Sequence, residues 1–96
     1  GGPSSEQPSL DSIDLAYRVI RACGARKFRI DRVVPIASGG VAIYRIGTGR
    51  MLSLQCRNGG ELLAIIRPLG EGESGMEWIS LESLESKVME WASLIA

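Results

Sequence analysis

Three glycine-bearing turns at nearly even intervals limit this chain more than any other feature. Ser38-Gly39-Gly40, Gly47-Thr48-Gly49 and Asn58-Gly59-Gly60 separate four apolar, strand-like runs at residues 28–36, 41–46, 51–57 and 61–67. Turn signals recurring about every ten residues predict successive hairpins, hence an antiparallel meander, and Asn-Gly is the strongest hairpin dipeptide of the three. In the third run Leu52, Leu54 and Cys56 alternate with Ser53, Gln55 and Arg57, which predicts one dry face and one wet face. In the fourth run Leu62, Leu63, Ala64, Ile65 and Ile66 are apolar on both faces. As the last strand of a four-stranded meander it would be an edge, so a helix or a partner chain is expected to cover its second face.

Helical patterns flank the strands. Ser9 or Asp11 can cap a helix over residues 10–23, with Asp14 in its first turn and Gly24 placed to end it. Its apolar face reads Ile13, Ala16, Tyr17, Ile20 and Cys23, widened by Leu15 and Val19, and Asp14 with Arg18 forms an i,i+4 pair on the wet side. Residues 68–78 read as a loop. A second helix begins near Leu81, with Ser80 as N-cap, Glu82 in the first turn and Ile79 with Leu84 as a hydrophobic staple. Its apolar stripe is Leu81, Leu84, Val88, Trp91 and Ile95. The expected fold is therefore α+β, an antiparallel four-stranded meander sheet with an N-terminal and a C-terminal helix, in the order α-β-β-β-β-α. Residues 1–9 (Gly, Pro, Ser, Glu and Gln, with no apolar anchor) read as a disordered tail, and residues 10–96 as a single domain.

Composition excludes several chemistries. The 96 residues contain no His, which removes Ser-His-Asp and Cys-His nucleophile systems and the usual general base near neutral pH. Two cysteines, Cys23 and Cys56, are too few for a disulfide framework or a four-thiolate metal site, and read as buried free thiols of a reducing, cytoplasmic compartment. No apolar run approaches the roughly 18 residues of a membrane span. Gly70-Glu71-Gly72-Glu73-Ser74-Gly75 spells G-x-G-x-x-G, but no helix opens directly after it and two glutamates would repel a phosphate. Asp31 and Glu61 are the only carboxylates in the sheet region, and Asp31 is expected to pair with Arg29 or Arg32. Ser53 has no base to activate it. No enzyme, no metal and no cofactor is expected.

Charge is balanced overall and segregated along the chain. Residues 15–67 carry ten basic residues against Asp31 and Glu61, a net +8, while residues 68–96 carry six glutamates against Lys87, a net −5. Nine of the eleven basic residues are Arg, which suits bidentate contact with carboxylate or phosphate. Two readings follow: the acidic C-terminal helix lies over the basic strands and neutralises them, or an Arg-rich face meets an acidic partner. For the second reading the candidate binding residues are Ser53, Gln55 and Arg57 on one strand face, with Arg45, Arg50 and Arg67 close by in the neighbouring hairpins. Tyr44 and Phe28 are the only aromatic residues in the four runs.

Two resemblances bear on function. The stretch Val33-Val34-Pro35-Ile36-Ala37-Ser38-Gly39-Gly40-Val41-Ala42-Ile43-Tyr44, followed by a second hairpin and an acidic Leu-rich helix, looks like a group of small uncharacterised bacterial α+β domains, collinear over about residues 10–95. That resemblance implies an operon-type accessory or antitoxin-like binding protein. Over residues 45–95, Arg45-Ile46-Gly47, Arg50-Met51-Leu52-Ser53-Leu54, Gly59 with Leu62, Leu63, Ala64 and Ile65, and Trp78-Ile79-Ser80-Leu81 before a helix are similar to the positive-cofactor-type single-stranded DNA-binding domain. This second resemblance implies a dimer whose curved sheets grip single strands, with Arg50, Ser53 and Arg67 on the backbone; Gln55 stands where that family has a further arginine. The expected function is a non-enzymatic protein-interaction or regulatory module, self-associating through the fourth strand or the C-terminal helix. Single-stranded DNA or RNA binding by the Arg-rich sheet face is the alternative.

Overall fold

A computed structural model describes residues 7–95. Helix α1 (Leu10–Ala25) is followed by strands β1 (Arg32–Pro35), β2 (Val41–Ile46), β3 (Arg50–Cys56), β4 (Leu62–Pro68) and β5 (Gly75–Ile79). A 3₁₀ turn (Leu81–Ser83) then leads into helix α2 (Leu84–Leu94). The class is α+β with two helices and an antiparallel sheet, but the sheet has five strands, not four, in the order β1-β2-β3-β4-β5. The extra strand falls inside the stretch read as a loop. β4 is therefore no edge, being paired with β3 on one side and β5 on the other, but the second apolar face of the fourth run, Leu63 and Ile65, is not covered by a helix among the described residues as expected.

Helix α1 starts where Ser9 caps it: the Ser9 hydroxyl accepts the Ser12 N–H at 3.0 Å. The β3–β4 turn holds this cap in place. Asn58 accepts the Ser9 N–H on Oδ1 at 2.8 Å, donates from Nδ2 to the Gln7 carbonyl at 3.1 Å, and its own carbonyl accepts the Ser9 hydroxyl at 2.8 Å. The first six residues of the expected tail lie outside the described residues. At its other end α1 runs past Gly24 and closes in a Schellman motif, with Phe28 N–H bonded to Cys23 C=O at 2.8 Å and Lys27 N–H to Gly24 C=O at 3.1 Å. Lys27, at φ 55°, takes the left-handed position expected of glycine. The physical reason is Phe28: buried with Cys23 in the core, it supplies the hydrophobic contact that accompanies this motif, three residues later than an end at Gly24 would place it.

Both helices pack on one face of the sheet. Leu15, Ala16, Val19 and Cys23 of α1 and Leu84, Val88 and Trp91 of α2, with Ile95, enclose Val41, Ile43, Leu52, Leu54, Cys56, Leu62, Ala64 and Ile79 from the strands. The staple pair Ile79 and Leu84 is buried as expected, whereas Leu81 is 47% exposed. On α1 the buried stripe is shifted from the expected one, toward Ser12, Leu15 and Val19, and leaves Ile13 and Tyr17 in solvent. Those two, with Ile20, Val33 and Val41, line an open apolar groove of about 350 Å³ between α1 and β1. Gly40, at φ 109°, passes so close to the Cys56 carbonyl that any Cβ there would collide with it, which explains a glycine at this turn. No helix among the described residues is long and apolar enough to cross a membrane.

Candidate interaction surface

Among the described residues no helix covers the second face of the sheet. Register decides what stands on it. Val34, Ala42, Gln55, Leu63 and Trp78 form one row across the five strands, and Arg32, Tyr44, Ser53, Ile65 and Met76 form the next. A third row, Ile46, Met51 and Arg67, crosses β2 to β4. The centre of this face is a buried floor of Ala42, Ser53 and Leu63, sheltered by its longer neighbours. Exposure rises toward the sides, reaching 61% at Trp78 and 68% at Met76. Three arginines share the face: Arg32 and Arg67, both exposed, and half-buried Arg57.

The six residues expected to form one binding grid are split by the pleat. Ser53, Gln55, Arg57 and Arg67 do lie on the open face. Arg57 Nη1 donates to Gln55 Oε1 at 3.0 Å, and Ser53 is buried in the floor rather than offered to a ligand. Arg45 and Arg50 alternate to the helix side instead, opposite Leu52 and Pro68. Arg45 is enclosed there: its guanidinium carbon lies 5.4 Å from the Phe28 ring centroid, and Nη2 reaches the Ile95 carbonyl at 3.5 Å. Its Nε and Nη1 are buried without a partner among the described residues. Sequence reasoning missed Trp78 and Met76, because the strand that presents them was read as a loop, and it missed Arg32.

The acidic C-terminal segment does little to neutralise the basic centre. Among the described residues one ion pair joins the two, Arg26 to Glu85 at 3.8 Å, and both side chains are largely exposed. Lys87 instead pairs with acids of its own segment, Glu77 at 2.7 Å and Glu90 at 3.3 Å, which hold its pKa above the ordinary lysine value. The arginines of the open face therefore carry no ion pair to the C-terminal helix.

The other candidate reactive groups are taken up by structure. Asp31 accepts the Ile46 N–H at 2.7 Å and the Arg29 Nε at 2.9 Å, closing the far end of the β1–β2 hairpin. The Ile46 N–H, with help from Arg29, holds the Asp31 carboxyl below the usual carboxylate range. Cys23 and Cys56 are fully buried, and burial pushes their thiols up to about 11 and about 12, with Cys23 adding to the effect on Cys56. Neither has the thiolate character of a nucleophile. Glu61 borders an open cleft of about 510 Å³ with Trp78, Ile79 and Leu81. Among the described residues no three His, Cys, Asp or Glu side chains gather as a metal site.

Compared with protein-family models, with curated proteins and with solved structures, the chain matches none. What stands is the coarser description, a small α+β protein with a helix at each end of an antiparallel sheet.

Proposed function

We propose that this protein is a non-enzymatic binding module that engages a macromolecular partner through the open face of its sheet. One observation carries the reading: a face without a covering helix has an apolar floor, two large apolar side chains more than 60% exposed, and an arginine rim. Exposed apolar surface of this kind, bordered by charge, is characteristic of interaction sites. The accessory or antitoxin-like role implied by the bacterial resemblance is the physiological form of this reading. Its test is paired affinity capture with the wild type and a Trp78→Ser/Tyr44→Ser variant, each checked for an unchanged far-ultraviolet spectrum. Partners retained by the wild type and lost by the variant are expected; identical partner sets would remove the open face from the function.

A second reading has its own support. Arg32, Arg57 and Arg67 stand on the same face as Tyr44 and Trp78, and aromatic platforms flanked by cations suit single-stranded DNA or RNA. Three phosphate contacts would give a slope of log K against log salt of about −2. Arg57→Glu/Arg67→Glu would abolish that binding, and Arg50→Glu, on the other side of the pleat, would leave it nearly intact. Anisotropy of a labelled oligonucleotide showing no salt-sensitive binding at micromolar protein rejects this second reading.

A further inference from the structure

The two edges of the sheet are built differently. Hydrogen bonding alternates along each strand, so the turn bonds reveal which residues point outward. Ile36 N–H bonds Gly40 C=O, which turns Arg32 and Val34 inward toward β2 and leaves Val33 and Pro35 outward. Pro35 has no N–H, so β1 offers one outward donor within the strand and is a blunted edge. At the other end, Arg57 N–H bonds Glu61 C=O and Leu69 N–H bonds Gly49 C=O, so the odd-numbered residues of β3 bond β4. Leu62, Ala64 and Ile66 must then bond Ile79, Glu77 and Gly75 of β5. The N–H and C=O groups of Met76 and Trp78 are left pointing away from the sheet. The strand itself contains no proline or lysine, and Gly75, Met76, Glu77 and Trp78 are all exposed.

We infer that β5 pairs antiparallel with β5 of a second copy, joining two sheets into one of ten strands. The edge is complementary to itself. Centring the two-fold axis on Glu77 places Met76 of each copy opposite Trp78 of the other, and these are the residues with outward N–H and C=O groups, so both pairs make two hydrogen bonds each. The same register lays each Met76 side chain beside a Trp78 ring on the open face, a favourable sulfur–aromatic contact. Charge opposes a second copy only mildly. The two Glu77 carboxylates meet on the helix side, a like-charge clash for a bare edge, but each is already held by Lys87 at 2.7 Å. An unrelated extended peptide would satisfy the backbone groups without matching the Met76–Trp78 exchange. Association thus runs through the fifth strand; the fourth, expected to serve, is paired along both edges. Five residues of edge bury less than the roughly 800 Å² per partner of a standard stable complex, so the association is expected to be weak and concentration-dependent.

Sedimentation velocity on the whole chain from 5 to 500 μM tests this. The expected result is a shift from the 10.3 kDa monomer toward twice that mass. Met76→Pro removes an outward N–H without touching a bond to β4, and is expected to weaken association at least tenfold, whereas Val33→Lys on the opposite edge leaves it unchanged. Glu77→Cys adds a test independent of how Met76→Pro folds. Residue 77 faces its own copy as a non-hydrogen-bonded pair, with Cα atoms about 4.5 Å apart, within disulfide range. This variant should crosslink to a covalent dimer on mild oxidation, while Trp78→Cys, opposite Met76 rather than itself, should crosslink far more slowly. A wild type that stays monomeric throughout, a folded Met76→Pro that dimerises normally, or a Glu77→Cys that fails to crosslink would each overturn the inference.

Discussion

Alkaline pH is predicted to destabilise this protein through two thiols. Cys23 and Cys56 sit at 0% exposure, with pKa values raised from the ordinary 9.0 to about 11 and about 12. A thiol whose folded pKa is raised keeps its proton in the native state after the unfolded chain has lost it. The native state therefore binds more protons between pH 9 and 11, and stability falls as pH rises through that window. Below pH 9 the thiols are neutral in both states and cost nothing. With these values the loss between pH 8 and pH 10.5 is about 2 kcal/mol for each thiol, roughly 4 kcal/mol together. Against a total of about 5–15 kcal/mol for a domain, that is a large share. Urea denaturation followed by tryptophan fluorescence at pH 8, 9, 10 and 10.5 measures it. At a slope of about 1–3 kcal/mol/M, the midpoint should fall by about 1.3–4 M across the series. The Cys23→Ala/Cys56→Ala variant serves as reference. It should start less stable but lose far less between pH 9 and 10.5. Parallel pH curves for the wild type and this variant would refute the assignment of the loss to the buried thiols.

Two further predictions concern the frame that presents the open face. Asn58→Ala removes the side-chain bonds to Ser9 N–H and Gln7 C=O that fasten the start of α1 to the β3–β4 turn, and should cost about 1–2 kcal/mol in urea denaturation. Gly24 and Gly40 should respond in opposite directions. Gly24 lies inside α1 with open space where a Cβ would go, so Gly24→Ala should add up to about 1 kcal/mol, whereas Gly40→Ala meets the Cys56 carbonyl at positive φ and should lose more than about 1 kcal/mol. Thermal denaturation of the two variants beside the wild type reads both signs.

What was legible in the sequence had strong local causes. The strand runs bounded by Gly39-Gly40, Gly47-Thr48-Gly49 and Asn58-Gly59 appear as β2, β3 and β4 within a residue or so, because turn chemistry and alternation agree there. β5 was hidden because two glycines and two glutamates precede it and a third glycine opens it, and because an edge strand buries little; only Ile79 is buried. The apolar face of α1 was too wide to locate. Ile13 and Tyr17 compete with Leu15 and Val19 for the sheet, and which side wins depends on where α2 and Phe28 sit. The split of the arginines was legible in principle. A two-residue loop at Thr48-Gly49 pairs odd positions of β2 with even positions of β3, so Arg45 joins Leu52 and Leu54 rather than Ser53 and Gln55.

The segregated charge gives the two proposed contacts opposite responses to salt. At the β5 edge each copy brings Glu77, Lys87 and Glu90, two acids for one base, and the pairing sets these clusters side by side beneath two acidic α2 helices. Screening by salt relieves that repulsion, so dimerisation should strengthen from 50 to 500 mM NaCl. On the open face Arg32, Arg57 and Arg67 are not neutralised by the C-terminal helix, so any anionic partner there should bind more weakly over the same range. Pairing at β5 leaves that face uncovered and doubles it, with Trp78 and Met76 of both copies along its midline. A partner that needs the doubled face would show the two effects in conflict, with affinity highest at intermediate salt. In the Met76→Pro variant, where only the monomer binds, affinity should instead fall with salt throughout.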